Sequence, residues 1–377
     1  MTHCSSVTPL RWTACALLSL ACLSAACGHT EPFSDSPGSD TPFDPGPPAR
    51  LTLNPAHDGN AAWLADGSGI LYSAQQVTRT DADVCLAELP ATGGSHRRIV
   101  CDLLGSGMST EAAQSPAASL DGRLALLSAG NGDVGGTSPV FLGIAVSPTL
   151  DAVGAQIVRS LPFTPGGGTI QDYAGHLRWL SEERLIYVGQ QFKAHRACPQ
   201  EGCPLDTLIV GTDVTLLDIS GSPAGTAVPG TTRATGVAPV EDGAAILFTL
   251  ENDTRIYRRV LSSGAVTVVH DFGPAGIARD VHASGNRVAV IVGGRIAVGV
   301  HWSAGLVQWD SGGILHVLDG DDDVVLDTPG RLYRRPAISP DGSGIVAEAF
   351  PLIITGPASN PDTVVSRSGD LYLFGGE

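Results

Sequence analysis

The sequence predicts an all-β protein: a six-bladed β-propeller of four-stranded antiparallel blades, its ring closed by an N-terminal strand that pairs in the last blade. Three observations predict it. Among 377 residues there are 47 Gly and 26 Pro, with 43% hydrophobic and only 16% charged residues. Many short strands joined by many turns around a packed core give that balance. Beyond residue 50, no window of about 11–18 residues carries an apolar stripe at helical spacing. Finally, a strand–turn–strand pattern recurs six times, its turns roughly 43–61 residues apart, as in propeller blades with inserted loops.

Residues 1–26 read as an export signal. Arg11 provides positive charge, residues 12–26 are apolar and small, and the stretch is too short to span a bilayer comfortably. Its end, Leu23-Ser24-Ala25-Ala26-Cys27-Gly28, resembles a bacterial lipoprotein signal, with Leu23 one place further from the cysteine than is usual. The resemblance implies that Cys27 is lipidated and becomes the mature N-terminus. Residues 27–48 are rich in Pro, Ser, Gly and Asp. They cannot bury enough apolar surface to offset ordering, so they are expected to form a flexible tether. The propeller is assigned to residues 49–377.

Each repeat is a strand, a tight turn and an apolar strand. The turns fall at Asp66-Gly67, Asp121-Gly122, Glu182-Glu183, Asp242-Gly243, Gly285-Asn286 and Asp341-Gly342. Aspartate bonds its own backbone in such turns, and glycine supplies a positive φ. The strand after each turn is continuously apolar, as it must be when both faces are buried between neighbouring sheets. Third and fourth strands follow, as at 84–89 and 96–101 in the first unit. The sixth unit lacks a fourth strand. Leu51–Leu53, which precede the first unit, are expected to pair with Leu371–Phe374 and supply it, protecting the edges of an open arc.

The stretches Pro336-Ala337-Ile338-Ser339-Pro340-Asp341-Gly342 and Trp63-Leu64-Ala65-Asp66-Gly67, with Ser115-Pro116 through Asp121-Gly122, resemble the TolB-type, or WD40-like, β-propeller repeat family of bacterial envelope proteins. The resemblance implies a six-bladed propeller of the periplasm or cell envelope, and together with the lipoprotein-like signal it implies a lipid anchor in the outer membrane, on its periplasmic or surface face.

Function is read from what this scaffold carries. A formal charge of −16 disfavours nucleic acid as a partner. There is no nucleophile elbow, zinc-protease helix or phosphate-binding loop. No cofactor and no metal is expected; the acidic run 319–323 lacks the spacing of a calcium loop. Of the eight cysteines, Cys85 with Cys101 and Cys198 with Cys203 form two local pairs. Their spacing suits disulfides in an oxidising compartment better than a four-cysteine zinc site. Trp63 and Trp179, each three places before a turn, are expected between blades. Six positions before each turn, the register places Asn60, Ser115, His176, Gly236, Ala278 and Arg335 at the channel mouth, where the four polar residues are candidates for ligand binding. The insertions 192–210, 296–313 (with Trp302 and Trp309) and 351–367 are candidate partner loops. These features point to a non-enzymatic, envelope-tethered propeller that binds a protein or glycan. The alternative is a metal-dependent hydrolase of the lactonase or esterase-like propeller class.

Overall fold

The structure, a computed structural model, describes residues 42–75, 84–101, 111–130, 141–152, 154–161, 170–196, 205–221, 225–293, 312–355, 362–365 and 368–376. In chain order the strands are β1 (Ala49–Arg50), β2 (Asp58–Trp63), β3 (Gly69–Gln75), β4 (Val84–Pro90), β5 (Arg98–Val100), β6 (Glu111–Ala118), β7 (Leu124–Gly130), β8 (Phe141–Ser147), β9 (Gln156–Leu161), β10 (Ile170–Ser181), β11 (Arg184–Arg196), β12 (Leu205–Asp218) and β13 (Thr226–Ala227). The second half contributes β14 (Ala234–Val240), β15 (Ala245–Leu250), β16 (Arg255–Val260), β17 (Val266–Asp271), β18 (Ile277–Ser284), β19 (Arg287–Gly293), β20 (Ile314–Asp319), β21 (Asp322–Leu326), β22 (Arg331–Ile338), β23 (Gly344–Thr355), β24 (Asp362–Val365) and β25 (Asp370–Gly375).

They form six antiparallel blades. The first five are β2–β5, β6–β9, β10–β13, β14–β17 and β18–β21, and the sixth is β22-β23-β25-β1. Their innermost strands pack in the closed order β2, β6, β10, β14, β18, β22 and back to β2. The turns work as their chemistry requires. The Asp66 and Asp341 carboxylates accept from the amides of Ser68 and Ser343 at 3.0 Å, and Gly67 and Gly342 have φ of 70° and 76°. The apolar second strands are buried on both faces: Ile70, Leu71, Ile246, Leu247, Val290, Ile291, Ile345 and Val346 are all fully enclosed. The core is therefore a set of clusters lying mostly between adjacent blades. Trp63 and Trp179 donate from Nε1 to the carbonyls of Ala337 and Ala117, each at 2.9 Å, joining blade one to blade six and blade three to blade two.

Closure occurs in the sixth blade, but two residues earlier in the N-terminal segment than the sequence suggests. Ala49 and Arg50 pair with Leu373 and Tyr372, and the Leu51 amide donates to the Leu371 carbonyl at 2.8 Å. The Leu371 amide then donates to the Thr52 hydroxyl, ending the ladder, and Leu53 points to solvent, 77% exposed. The end of the expected tether is seated as well. Phe43 is buried, its amide donates to Asp319 Oδ2 at 2.8 Å, and Arg287 lies over its ring.

The insertions 192–210 and 351–367 are in part hairpin arms. Phe192–Arg196 pairs with Leu205–Ile209, and Leu352–Thr355 pairs with Asp362–Val365. Cys85 and Cys101 form a disulfide that crosses the outer hairpin of blade one. Cys27, Cys198, Cys203, Trp302 and Trp309 lie outside the described residues.

Two predictions follow from the closing seam. Truncating Phe43 to Ala should cost about 3–5 kcal/mol, the usual loss for a buried phenylalanine, and removing residues 42–51 should cost more. A urea unfolding midpoint unchanged by the longer deletion would refute closure by this segment. Asp58, buried behind β1 and near Asp370, has its carboxyl pushed up to about 6, chiefly by burial. A raised carboxyl stabilises the fold fully below the ordinary value, and that contribution is lost as pH rises through 6. Asp58→Asn should therefore stabilise the protein at pH 8 by up to about 3 kcal/mol. The gain should vanish towards pH 4, as measured by thermal unfolding across that range.

Candidate functional site

The inner strands are not regular. In five blades the pairing of the first strand with the second is interrupted at an equivalent place: between Gly59 and Ala62, Gln114 and Ala117, Gly175 and Arg178, Arg279 and His282, and Arg334 and Ala337. The residue opening each interruption is left-handed, with φ of 55° at Asn60, 48° at Ser115, 53° at His176, 53° at Asp280 and 45° at Arg335. This conformation costs a non-glycine residue about 1–2 kcal/mol. A bulge re-aims its side chain, and here the repeated bulge gathers polar groups from different blades. In blade four the interruption lies between Ala234 and Gly236.

Asn60, Ser115, His176 and Arg335 thus occupy equivalent positions. The fifth position is Asp280, not Ala278. In blade five the turn is only Gly285-Asn286, with Ser284 paired to Arg287, so the strand runs further before turning. Asn286, rather than Ser284, matches Asp341, and counting back from it reaches Asp280. Ala278 is instead an enclosed ladder residue opposite Val292.

Glu348, on β23, is the centre of the site and is fully buried. Its Oε1 accepts the Asn60 amide at 2.5 Å and lies 3.3 Å from Arg335 Nη1. Its Oε2 is 3.7 Å from Arg334 Nη2, and the Arg334 guanidinium stacks on the Phe350 ring at 3.8 Å. Burial alone would raise the Glu348 carboxyl, but the charges of Arg335 and Arg334 outweigh it and hold it below the usual carboxylate range. Gly59 makes this approach possible, because a Cβ there would stand 2.7 Å from both Glu348 Oε1 and His57 Nε2. His57 is pushed down to about 4, mainly by burial, and is neutral at pH 7; its Nδ1 accepts the Gly369 amide at 3.3 Å.

Asp280 forms the second anionic point. His176 Nε2 is 3.1 Å from its Oδ1, and the Arg335 amide donates to its Oδ2 at 3.1 Å. Burial opposes ionisation of Asp280, but the His176 hydrogen bond and the Arg335 charge overcome it, and the carboxyl lies below its ordinary value. Ser115 Oγ donates to Asn60 Oδ1 at 3.4 Å. Contacts therefore run from Ser115 through Asn60, Glu348, Arg335 and Asp280 to His176, drawing on blades two, one, six, five and three. Blade four contributes Gly236, where a Cβ would meet the amides of Val281 and Asp280 at 2.7 and 2.9 Å. Its missing side chain is what lets blade five approach.

Asp280, Glu348, Arg334 and His57 are not among the site residues that the sequence pointed to. One signal was available: Glu348 is a lone carboxylate inside the apolar run 345–350. Among the described residues, no three His, Cys, Asp or Glu side chains converge so as to hold a metal ion.

No protein-family model matches the chain, and no curated protein matches it in sequence. Solved structures do match in shape. TolB from Acinetobacter baumannii aligns at 14% identity and a TM-score of 0.46, over 82% of this chain and 64% of that one. The chain therefore spans under two thirds of that protein's length. The calcium-binding protein regucalcin from Agrobacterium tumefaciens aligns at 11% identity and a TM-score of 0.50, over 86% of this chain and 92% of that one. A luciferin-regenerating enzyme aligns at 10% identity and a TM-score of 0.50, over 88% of this chain and 95% of its own. At such identities the likeness concerns fold alone: the chain is a six-bladed β-propeller.

Proposed function

We propose that this is a non-enzymatic binding protein of the bacterial cell envelope, anchored through a lipid on Cys27, which recognises a protein or glycan partner at the mouth of its channel. One observation carries the choice of binding over catalysis. Both channel carboxylates are already engaged by groups of this chain, Glu348 by Arg334, Arg335 and the Asn60 amide, and Asp280 by His176 and the Arg335 amide. A general base needs a carboxylate free to take a proton, and a calcium site needs several oxygen ligands turned to one point. Among the described residues, the channel side chains do not fit a metal ion. Location rests on the N-terminal sequence. Among the described residues, no helix is long and apolar enough to cross a membrane.

Metal analysis of the purified protein after incubation with Ca²⁺ or Zn²⁺, together with lactone and aryl-ester turnover assays, tests the first part. The expected result is no stoichiometric metal and no turnover; bound metal would overturn the binding reading, and turnover would establish the hydrolase alternative. Mass spectrometry of the mature N-terminus tests the second part. A diacylglyceryl-modified Cys27 is expected, and an unmodified chain starting at Gly28 or later would overturn the anchor.

A further inference from the structure

We propose that the channel mouth binds a small oxyanion, a carboxylate or phosphate group held between the guanidinium groups of Arg178 and Arg335. This inference rests on reading the channel mouth as a binding site and names the chemistry it accepts. The first ground is an inversion of charge. The chain has 38 acidic residues against 22 lysines and arginines. Among the described residues of the channel network, however, Arg178, Arg334 and Arg335 are set against two carboxylates, Asp280 and Glu348. The histidines nearby add no anion. Asp58, next to His57 in sequence, bonds Asn54 at the closing seam.

The second ground is how these charges pair. Glu348 serves Arg334 and Arg335, and Asp280 is occupied by His176 and the Arg335 amide. Arg178 lies within electrostatic range of Asp280 and Arg335, yet its hydrogen bond goes to the Leu177 carbonyl at 2.8 Å. Its Nε is buried with no hydrogen-bond partner among the described residues. Arg178 as a whole is half-buried, but a guanidinium nitrogen enclosed without a matching anion is costly. Burial pushes Arg178 down to about 10, with Arg335 pushing the same way against Asp280. His282 is likewise held well below its ordinary value, first by burial and then by Arg178 and His176.

An oxyanion fits this arrangement. The planar fork of arginine matches the geometry of carboxylate and phosphate. The Arg335 side chain keeps 12% of its surface exposed, so the network opens to solvent there. Asn60 and Ser115 add neutral polar groups beside it. The net negative charge of the chain repels extended polyanions, which leaves a small anion or a single acidic group on a partner.

The test is calorimetric titration and thermal shift of the purified protein with succinate, inorganic phosphate and neutral succinamide at matched ionic strength. Saturable binding and a raised unfolding temperature are expected for at least one anion and not for succinamide; which anion binds distinguishes carboxylate from phosphate. Arg178→Gln should weaken binding at least tenfold. Arg178→Lys, which keeps the charge but loses the fork, should weaken it less and serves if the glutamine variant does not fold. No saturable binding of either anion up to about 10 mM (ΔG° near −2.7 kcal/mol), equal binding of succinamide, or unchanged affinity in the arginine variants would overturn the proposal. A negative result here with no metal and no turnover would remove the anion class alone, whereas metal or turnover would remove the binding reading itself.

Discussion

The seam between the first and sixth blades is the constraint on which the rest of the molecule depends, because both ends of the propeller meet there. It is held at every radius. At the channel the Asn60 amide donates to Glu348, and further along the strand Trp63 donates to the Ala337 carbonyl. The Asp58 amide reaches the Gly369 carbonyl at 3.0 Å, and β1 completes the ladder of the outer strand. A propeller blade buries both faces only if neighbours stand on both sides. Opening this seam would expose Leu51, Ile70, Tyr72, Val346, Leu371 and Leu373, which form one cluster across it. Phe43 continues the closure towards blade five, packing with residues of β19, β20, β22 and β23.

The same seam links architecture to site. Glu348 is at once the acceptor that ties blade one to blade six and the anion around which Arg334 and Arg335 are placed. A buried carboxylate of this kind is stable only when its charge is matched by good geometry. The matching groups also set the electrostatics of the channel. Repetition explains how they come together. One irregularity, repeated in five inner strands, turns five side chains out of the sheet register and into one network. The departures from symmetry are the chemically telling places: Gly236 gives up a side chain, and Asp280 crosses the space so left to meet His176.

The repeat hairpins were legible in sequence because their turns need particular residues: aspartate to accept the amide two places on, and glycine for positive φ. Asn60, Ser115, His176 and Arg335 were reachable by counting back from those turns. Asp280 was not, since blade five has a shorter turn and loses the anchor for the count. Glu348 and Arg178 were hidden for a different reason. Their roles depend on which residues stand across the channel, and no local pattern encodes that.

By itself the sequence determined the class of fold, the number of blades, the turn chemistry and the need for an N-terminal strand to complete the ring, all through local periodicity and the propensities of single residues. It placed that strand only to within two residues, because Leu51 and Leu53 carry the apolar alternation of a strand and Ala49 and Arg50 do not. The tertiary structure alone decided the pairing of Ala49 and Arg50, the seating of Phe43 and the gathering of arginines around two carboxylates. The reason is that a closed ring brings residues almost three hundred positions apart, such as Asn60 and Glu348, within hydrogen-bonding distance. The charge balance at such a meeting point belongs to neither segment until both are in place.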